Sequence, residues 1–172
     1  MSKILDLGLG DWNAIVMAFH NESDRGAAVL AAGFADNTLA QYIRFRLVST
    51  HHANKIFGPM APLGTFSGRI MIAESFGLIS RPDAANLDLV RQVRNHFAHH
   101  PLETSFNAVI PDGLIGRIEL PGHIDRAVWS VGERNRLAYL IALGLFCART
   151  QSEIKPLSAM PSVDTLLIED GD

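Results

Sequence analysis

The chain has 172 residues, 48% of them apolar and 19% charged, which suffices for one packed core and excludes global disorder. Fifteen Lys and Arg residues stand against 18 Asp and Glu. The net charge of −3 argues against a protein whose main task is to coat nucleic acid, because phosphate contacts demand a basic excess. The single cysteine, Cys147, excludes an internal disulfide and a cysteine-rich zinc site, and suits a reducing, cytoplasmic compartment.

The opening MSKILDLGLGDWN lacks the apolar core of a secretory signal. The longest strongly apolar run, 137–148, has 12 residues, against the roughly 20 that a bilayer span requires. Asp11 can cap a short helix with Trp12, Ile15, Val16 and Phe19 on one face. A long helix is predicted over 23–48. It is uncharged from Gly26 to Ala35, so burial on nearly all sides is expected, and Ala28, Ala31 and Ala35 form a stripe that admits a close neighbour. A short helical stretch carries His51 and His52 and ends near Phe57, before a break at 58–64 made by two prolines and two glycines.

Thr65 is a cap for a helix over 66–79 with Phe66, Ile70, Ala73 and Gly77 as its packing stripe. Ser80 and Asp83 around Pro82 start another helix, which buries Leu87, Val90, Val93 and Phe97 and stops before Pro101. Between 107 and 120, short β-branched runs around Pro111-Asp112-Gly113 suit a small β-hairpin or an irregular loop equally. A capping box at 130–133 opens a C-terminal helix reaching about Thr150, with Leu137, Leu140, Ile141, Gly144, Leu145 and Ala148 as its apolar face. The expectation is an all-α, single-domain bundle of five to seven helices over 1–155. An acidic tail, 156–172, follows; it is expected to be mobile unless Leu166-Leu167-Ile168 docks onto the body.

Three arginines stand among apolar neighbours. Arg69 shares a helical line with Ile72, Phe76 and Ile79, Arg94 lies at the edge of the Leu87–Val90–Phe97 arc, and Arg25 precedes the uncharged run. A partly buried guanidinium needs a carboxylate or several carbonyls, and Glu22, Asp24 and Glu74 are the available acids. Either these groups brace three helices, or they form a polar pocket for an anion, a ligand or RNA. The string Arg94-Asn95-x-x-x-His99 could hold a phosphate and move a proton without a metal. Arg94 and His99 are, however, about 140° apart on an ideal helix, so a shared site requires an unwound last turn or a partner chain. His51-His52 and His99-His100 lack a recognisable zinc spacing, and no phosphate loop or nucleophile elbow occurs. No metal or cofactor is expected.

The strings ESDRGAA (22–28), PLGTFSGRI (62–70), FGLI (76–79) and VRNHFAHH (93–100), in this order and spacing, resemble the mannitol operon repressor family of bacterial regulators over about 12–106. The resemblance implies an all-helical domain acting in transcriptional repression of sugar-alcohol uptake. No exposed basic helix suited to a major groove is evident, so regulation is expected to run through a protein partner or a ligand rather than direct DNA readout. The RNHFAH string also resembles the Arg-x4-6-His signature of the HEPN superfamily. That resemblance implies, as an alternative, a metal-independent ribonuclease, with Arg94 on phosphate, Asn95 as polar follower and His99 as proton shuttle, its sites facing one another across a homodimer. A third possibility is a structural interaction subunit encoded beside a transporter. Asp24, Arg25, Thr65, Ser67, Arg69, Arg94, Asn95 and His99 form the candidate polar cluster, as brace or as binding surface.

Overall fold

The 22-residue helix α1, Asp24–Phe45, is the axis on which the others are assembled. In the structure, a computed structural model describing residues 18–19, 21–122 and 124–154, it is followed by α2 (Ala53–Ile56), α3 (Phe66–Ser75), α4 (Arg81–His99), α5 (Val109–Ile115), a 3-10 turn at Arg126–Val128 and α6 (Arg134–Glu153). Among the described residues there are six α-helices and no strand, an all-helical bundle. The expected 11–19 helix, apart from Ala18 and Phe19, and the 156–172 tail lie outside the described residues.

Ser23 caps α1 by accepting from the Gly26 N–H, and Asp24 adds a negative charge to its first turn. Ala27, Ala28, Ala31, Ala32 and Ala35 are buried to 2% exposure or less. With only methyl groups on this face, α4 and α6 pack close against α1. The helix is not buried all round, as the uncharged run suggested: Val29, Leu30 and Gly33 face outward. Tyr139 of α6, fully buried, donates its hydroxyl to the Ala28 carbonyl at 2.9 Å and lies 3.5 Å from that of Val90, so one phenol touches three helices. Burial pushes its ionisation well above the ordinary tyrosine value.

Helix α3 stops four residues before the expected end. Gly77 adopts φ +67°, its N–H bonds the Glu74 carbonyl, and the Leu78 N–H reaches back to Ala73, a Schellman closure that needs the left-handed residue glycine supplies. Ser80 then caps α4 through the Asp83 N–H, as expected, and Leu87, Val90, Val93 and Phe97 enter the core.

The segment 107–120 corrects the hairpin expectation, because Val109–Ile115 is a helix. Pro111 sits at its third position, where an N–H has no intrahelical acceptor in any case, so the proline removes no hydrogen bond. Pro111 and Ile115 are buried, and packing on α4 and α6 outweighs the turn propensity of Asp112-Gly113. The C-terminal helix also departs from expectation. It begins after the 130–133 turn, and its buried face is Asn135, Ala138, Tyr139, Ala142, Leu143, Phe146, Cys147 and Thr150. Leu140 and Gly144 of the expected face are buried, but Leu145 is exposed and Leu137, Ile141 and Ala148 are half-buried. Tyr139 and Asn135 find polar partners inside, which lets the helix turn polar-bearing residues inward.

Candidate functional site

At the end of the bundle where α1 begins, Asp24 is a junction. Its Oδ1 accepts from Arg136 Nη1 at 2.5 Å, and its Oδ2 accepts from the Phe106 N–H at 2.9 Å. The same guanidinium donates to the carbonyls of Phe19 and Glu22. One carboxylate therefore joins α1, α6, the chain entering α1 and the loop after α4. Arg25 extends this seam, donating to the Pro101 carbonyl at 2.8 Å rather than to an acid. On the α6 side, Asn135 donates to Phe106 O, Asn107 Oδ1 and Asp112 Oδ1, which fixes α5.

A histidine cluster that the sequence reasoning missed borders this seam. His96, whose side chain is 7% exposed, makes a short contact through Nε2 with the Glu103 carboxylate. Its ring stacks on His100 at 4.2 Å, and His100 Nδ1 lies 2.9 Å from the His96 carbonyl. Attention to His99 obscured His96, although the placement of Val93 and Phe97 in the core puts position 96 on the same inward side. Gln92, Asn95, His96, His99, His100, Ile110 and Leu114 line a shallow groove of about 380 Å³ beside it.

Arg94 is not on that groove wall. It is exposed and donates to the neighbouring Asn95 Oδ1 at 2.9 Å. Helix α4 stays helical through His99, so the unwound turn that would bring Arg94 and His99 together within one chain is not formed. Arg94 therefore has no buried carboxylate, contrary to the expectation from its place near the apolar arc: its long stem lets the head reach solvent.

Arg69 takes Asp36 of α1, at 2.5 Å between Nη1 and Oδ1, an acid not among the three expected partners. The pair is largely buried, with side chains 15% and 28% exposed, and joins α3 to α1. Its guanidinium lies 5.8 Å from the centre of the Phe57 ring, and Arg44 covers the same ring at 4.0 Å. Thr65 caps α3 through the Gly68 N–H and lies 3.2 Å from the Ser67 hydroxyl. Gly64 and Gly68 are required for space: a Cβ on Gly64 would strike the Gly58 carbonyl, and one on Gly68 the Pro62 carbonyl. The PLGTFSGRI string thus encodes a close backbone crossing, a cap and an ion pair.

The eight candidate residues consequently divide. Asp24, Arg25 and Arg69 tie elements together, Thr65 and Ser67 shape the start of α3, and Asn95 and His99 line an open groove while Arg94 stays outside it. Among the described residues no group of three His, Cys, Asp or Glu side chains is arranged to hold a metal ion. No helix among them is long and apolar enough to cross a membrane.

This arrangement of helices has a counterpart among solved structures, in a chain of the X-ray structure of the MtlR-HPr complex from Escherichia coli. The superposition covers 82% of this chain and 98% of that one, with a TM-score of 0.58 and 18% identity. The two share a fold. No family model matches the chain, and no curated protein does.

Two further clefts flank the C-terminal half of α6. One, of about 520 Å³, has apolar walls from Leu87, Val90, Leu120, Leu143 and Phe146 and is also lined by the Asp83–Arg149 ion pair. Asn86 holds its outer wall by exchanging two hydrogen bonds with the backbone of Glu119. The second cleft adjoins it and contains Tyr42, whose hydroxyl donates to Glu153 Oε2 at 2.5 Å and accepts from Arg46 at 3.1 Å. Burial and the Glu153 carboxylate both raise the ionisation of Tyr42.

Proposed function

We propose that this chain is a repressor-like transcriptional regulator of the mannitol operon repressor type, acting through a protein partner rather than by reading DNA directly. The observation that carries this is the shared fold with a chain crystallised in a complex named MtlR-HPr, over nearly the whole of that chain. The ordered motifs add support, since ESDRGAA and PLGTFSGRI occupy structural junctions of that fold here. The charge balance fits as well. The chain is acidic overall, and on α4 Arg91 is tied to Asp88 at 2.7 Å rather than left open for phosphate. In this reading Asp24, Arg25, Thr65, Ser67 and Arg69 build the scaffold, and Arg94, Asn95 and His99 belong to the contact surface.

The test combines HPr of the same cells with the purified chain in calorimetry and size-exclusion chromatography, beside footprinting on the upstream DNA of its own operon. A defined complex with HPr and no footprint by the chain alone is expected. A sequence-specific footprint by the chain alone overturns partner-mediated action, and failure to bind HPr overturns the choice of partner.

A further inference from the structure

The start of α6 gathers positive charge that no carboxylate answers. Arg126, in the 3-10 turn, donates Nη1 to the Ile115 carbonyl at 3.2 Å and Nη2 to that of Ile118, and so closes the end of α5. Its Nε–H and the second hydrogen of each Nη have no acceptor among the described residues. Arg134, the first residue of α6, bonds nothing there: its Nε is enclosed without an acceptor, and its Nη groups keep access to solvent. Asn135 ties the same turn of α6 to Asp112 of α5, so the turn that carries Arg134 and the guanidinium of Arg126 are fastened to one short helix. Burial lowers the ionisation of Arg126 from its ordinary value, and the charge of Arg134 lowers it further, which places both guanidiniums in one field.

The neighbouring acids are engaged elsewhere. Asp125 accepts from the Ala127 N–H, Glu133 from the Ser130 hydroxyl and Asp112 from Asn135, while Glu119 lines the cleft on the other side of α6. No ion pair among the described residues includes Arg126 or Arg134. Helix α6 adds to the imbalance, since it lacks a side-chain cap and has no acid in its first turn. A structural role explains Arg126, which closes α5, but not the second cation beside it. Two like charges without a counter-charge repel, and an ion between them removes that penalty. The guanidinium fork suits a tetrahedral oxyanion, and two forks match a double negative charge.

We propose that Arg126 and Arg134 form an anion site at the start of α6 that binds a small phosphoryl ligand, free phosphate or a phosphomonoester, through their unbonded N–H groups. The inference is independent of the regulatory reading, and its test involves neither HPr nor DNA.

The test titrates the full chain at neutral pH with inorganic phosphate and with glycerol phosphate, followed by calorimetry and by the arginine Nε–H signals in proton–nitrogen correlation spectra. The enclosed Arg134 Nε–H should shift as either probe is added, and the tighter of the two identifies the source of the phosphoryl group. Sulfate, of the same shape and charge, should compete, whereas acetate and chloride at equal ionic strength should not. Arg134→Gln should weaken binding about tenfold or more. The same variant should keep or raise the melting temperature, because it removes a like charge beside Arg126. Signals that move as much with chloride as with phosphate, or full affinity in the folded Arg134→Gln variant, overturn the proposal. So does a wild-type chain that ignores both probes while Arg134→Gln lowers its melting temperature, which would make Arg134 a structural brace.

Discussion

Asp24 and Arg136, 112 residues apart in the chain, close the end of the bundle through a 2.5 Å contact that also fixes Phe106 and the chain entering α1. With side chains only 24% and 12% exposed, both groups depend on each other for solvation. Arg136→Ala strands the carboxylate with a single backbone donor, and the expected cost is about 2–4 kcal/mol. Urea unfolding followed by circular dichroism measures it; a change too small to shift the midpoint would mean that the pair is solvated in solution.

Arg69 and Arg94 should behave as opposites. Arg69→Ala leaves Asp36 without its partner in a largely buried position and should also cost about 2–4 kcal/mol, whereas Arg94→Ala and His99→Ala should leave the unfolding midpoint unchanged. Equal losses for Arg69→Ala and Arg94→Ala would contradict the division into brace and open surface.

The same geometry bears on RNA chemistry. Since α4 is helical through His99, one chain does not bring Arg94 and His99 together, so the monomeric chain in EDTA should leave RNA intact, and the Arg94→Ala/His99→Ala variant should match it. Cleavage that survives EDTA and disappears in the folded double variant would establish a ribonuclease and displace the regulatory proposal.

Gly68→Ala tests the backbone crossing beneath α3. The added methyl meets the Pro62 carbonyl, which cannot move without moving the 58–64 loop, and overpacking of this kind costs about 1–3 kcal/mol. Gly113→Ala is the control: nothing lies within 4 Å of its Cβ position, and the helical setting favours alanine. A melting temperature lowered by Gly68→Ala and held or raised by Gly113→Ala is the expected pattern.

Alkaline pH should destabilise the fold. Burial raises the Cys147 thiol from the ordinary 9.0 to about 12, and it raises Tyr42 and Tyr139 too. Each group loses its proton more readily when unfolded, so the unfolded state binds fewer protons and stability falls as pH climbs. For Cys147 the contribution is complete below about 9 and disappears as pH rises towards 12. Denaturant titrations at stepped pH measure this slope, and Cys147→Ser should reduce it. Alkylation of native Cys147 at pH 8 should be negligible; rapid modification would mean that α6 opens.

Much of the bundle was legible because its helices announce their own ends. Thr65 and Ser80 cap helices where the sequence placed them, the long helix starts beside Ser23 as expected, and Leu87, Val90, Val93 and Phe97 bury as their spacing requires. Local signals did not point to Asp36 as the acid partner of Arg69, because that depends on how far α3 slides along α1. The 107–120 error has the same origin: Pro-Asp-Gly is a turn signal in isolation, and the core contact of Ile115 and Pro111 is non-local. The candidate cluster was legible as residues and not as a place. Arg25 and Arg69 have the partners their setting called for and the exposed Arg94 does not need one, while His96 and Glu103 were passed over because their pairing spans a helix end.

The alanine-lined axis bears on how the bundle assembles. Alanine has no rotamers to freeze, so burying Ala27, Ala28, Ala31, Ala32 and Ala35 restricts the backbone of α1 and almost nothing else. The side-chain entropy lost at this interface falls instead on the larger residues of α4 and α6, such as Leu87, Val90 and Tyr139. A partly folded chain can therefore register α1 early, with its partners settling their rotamers against a surface that is already rigid.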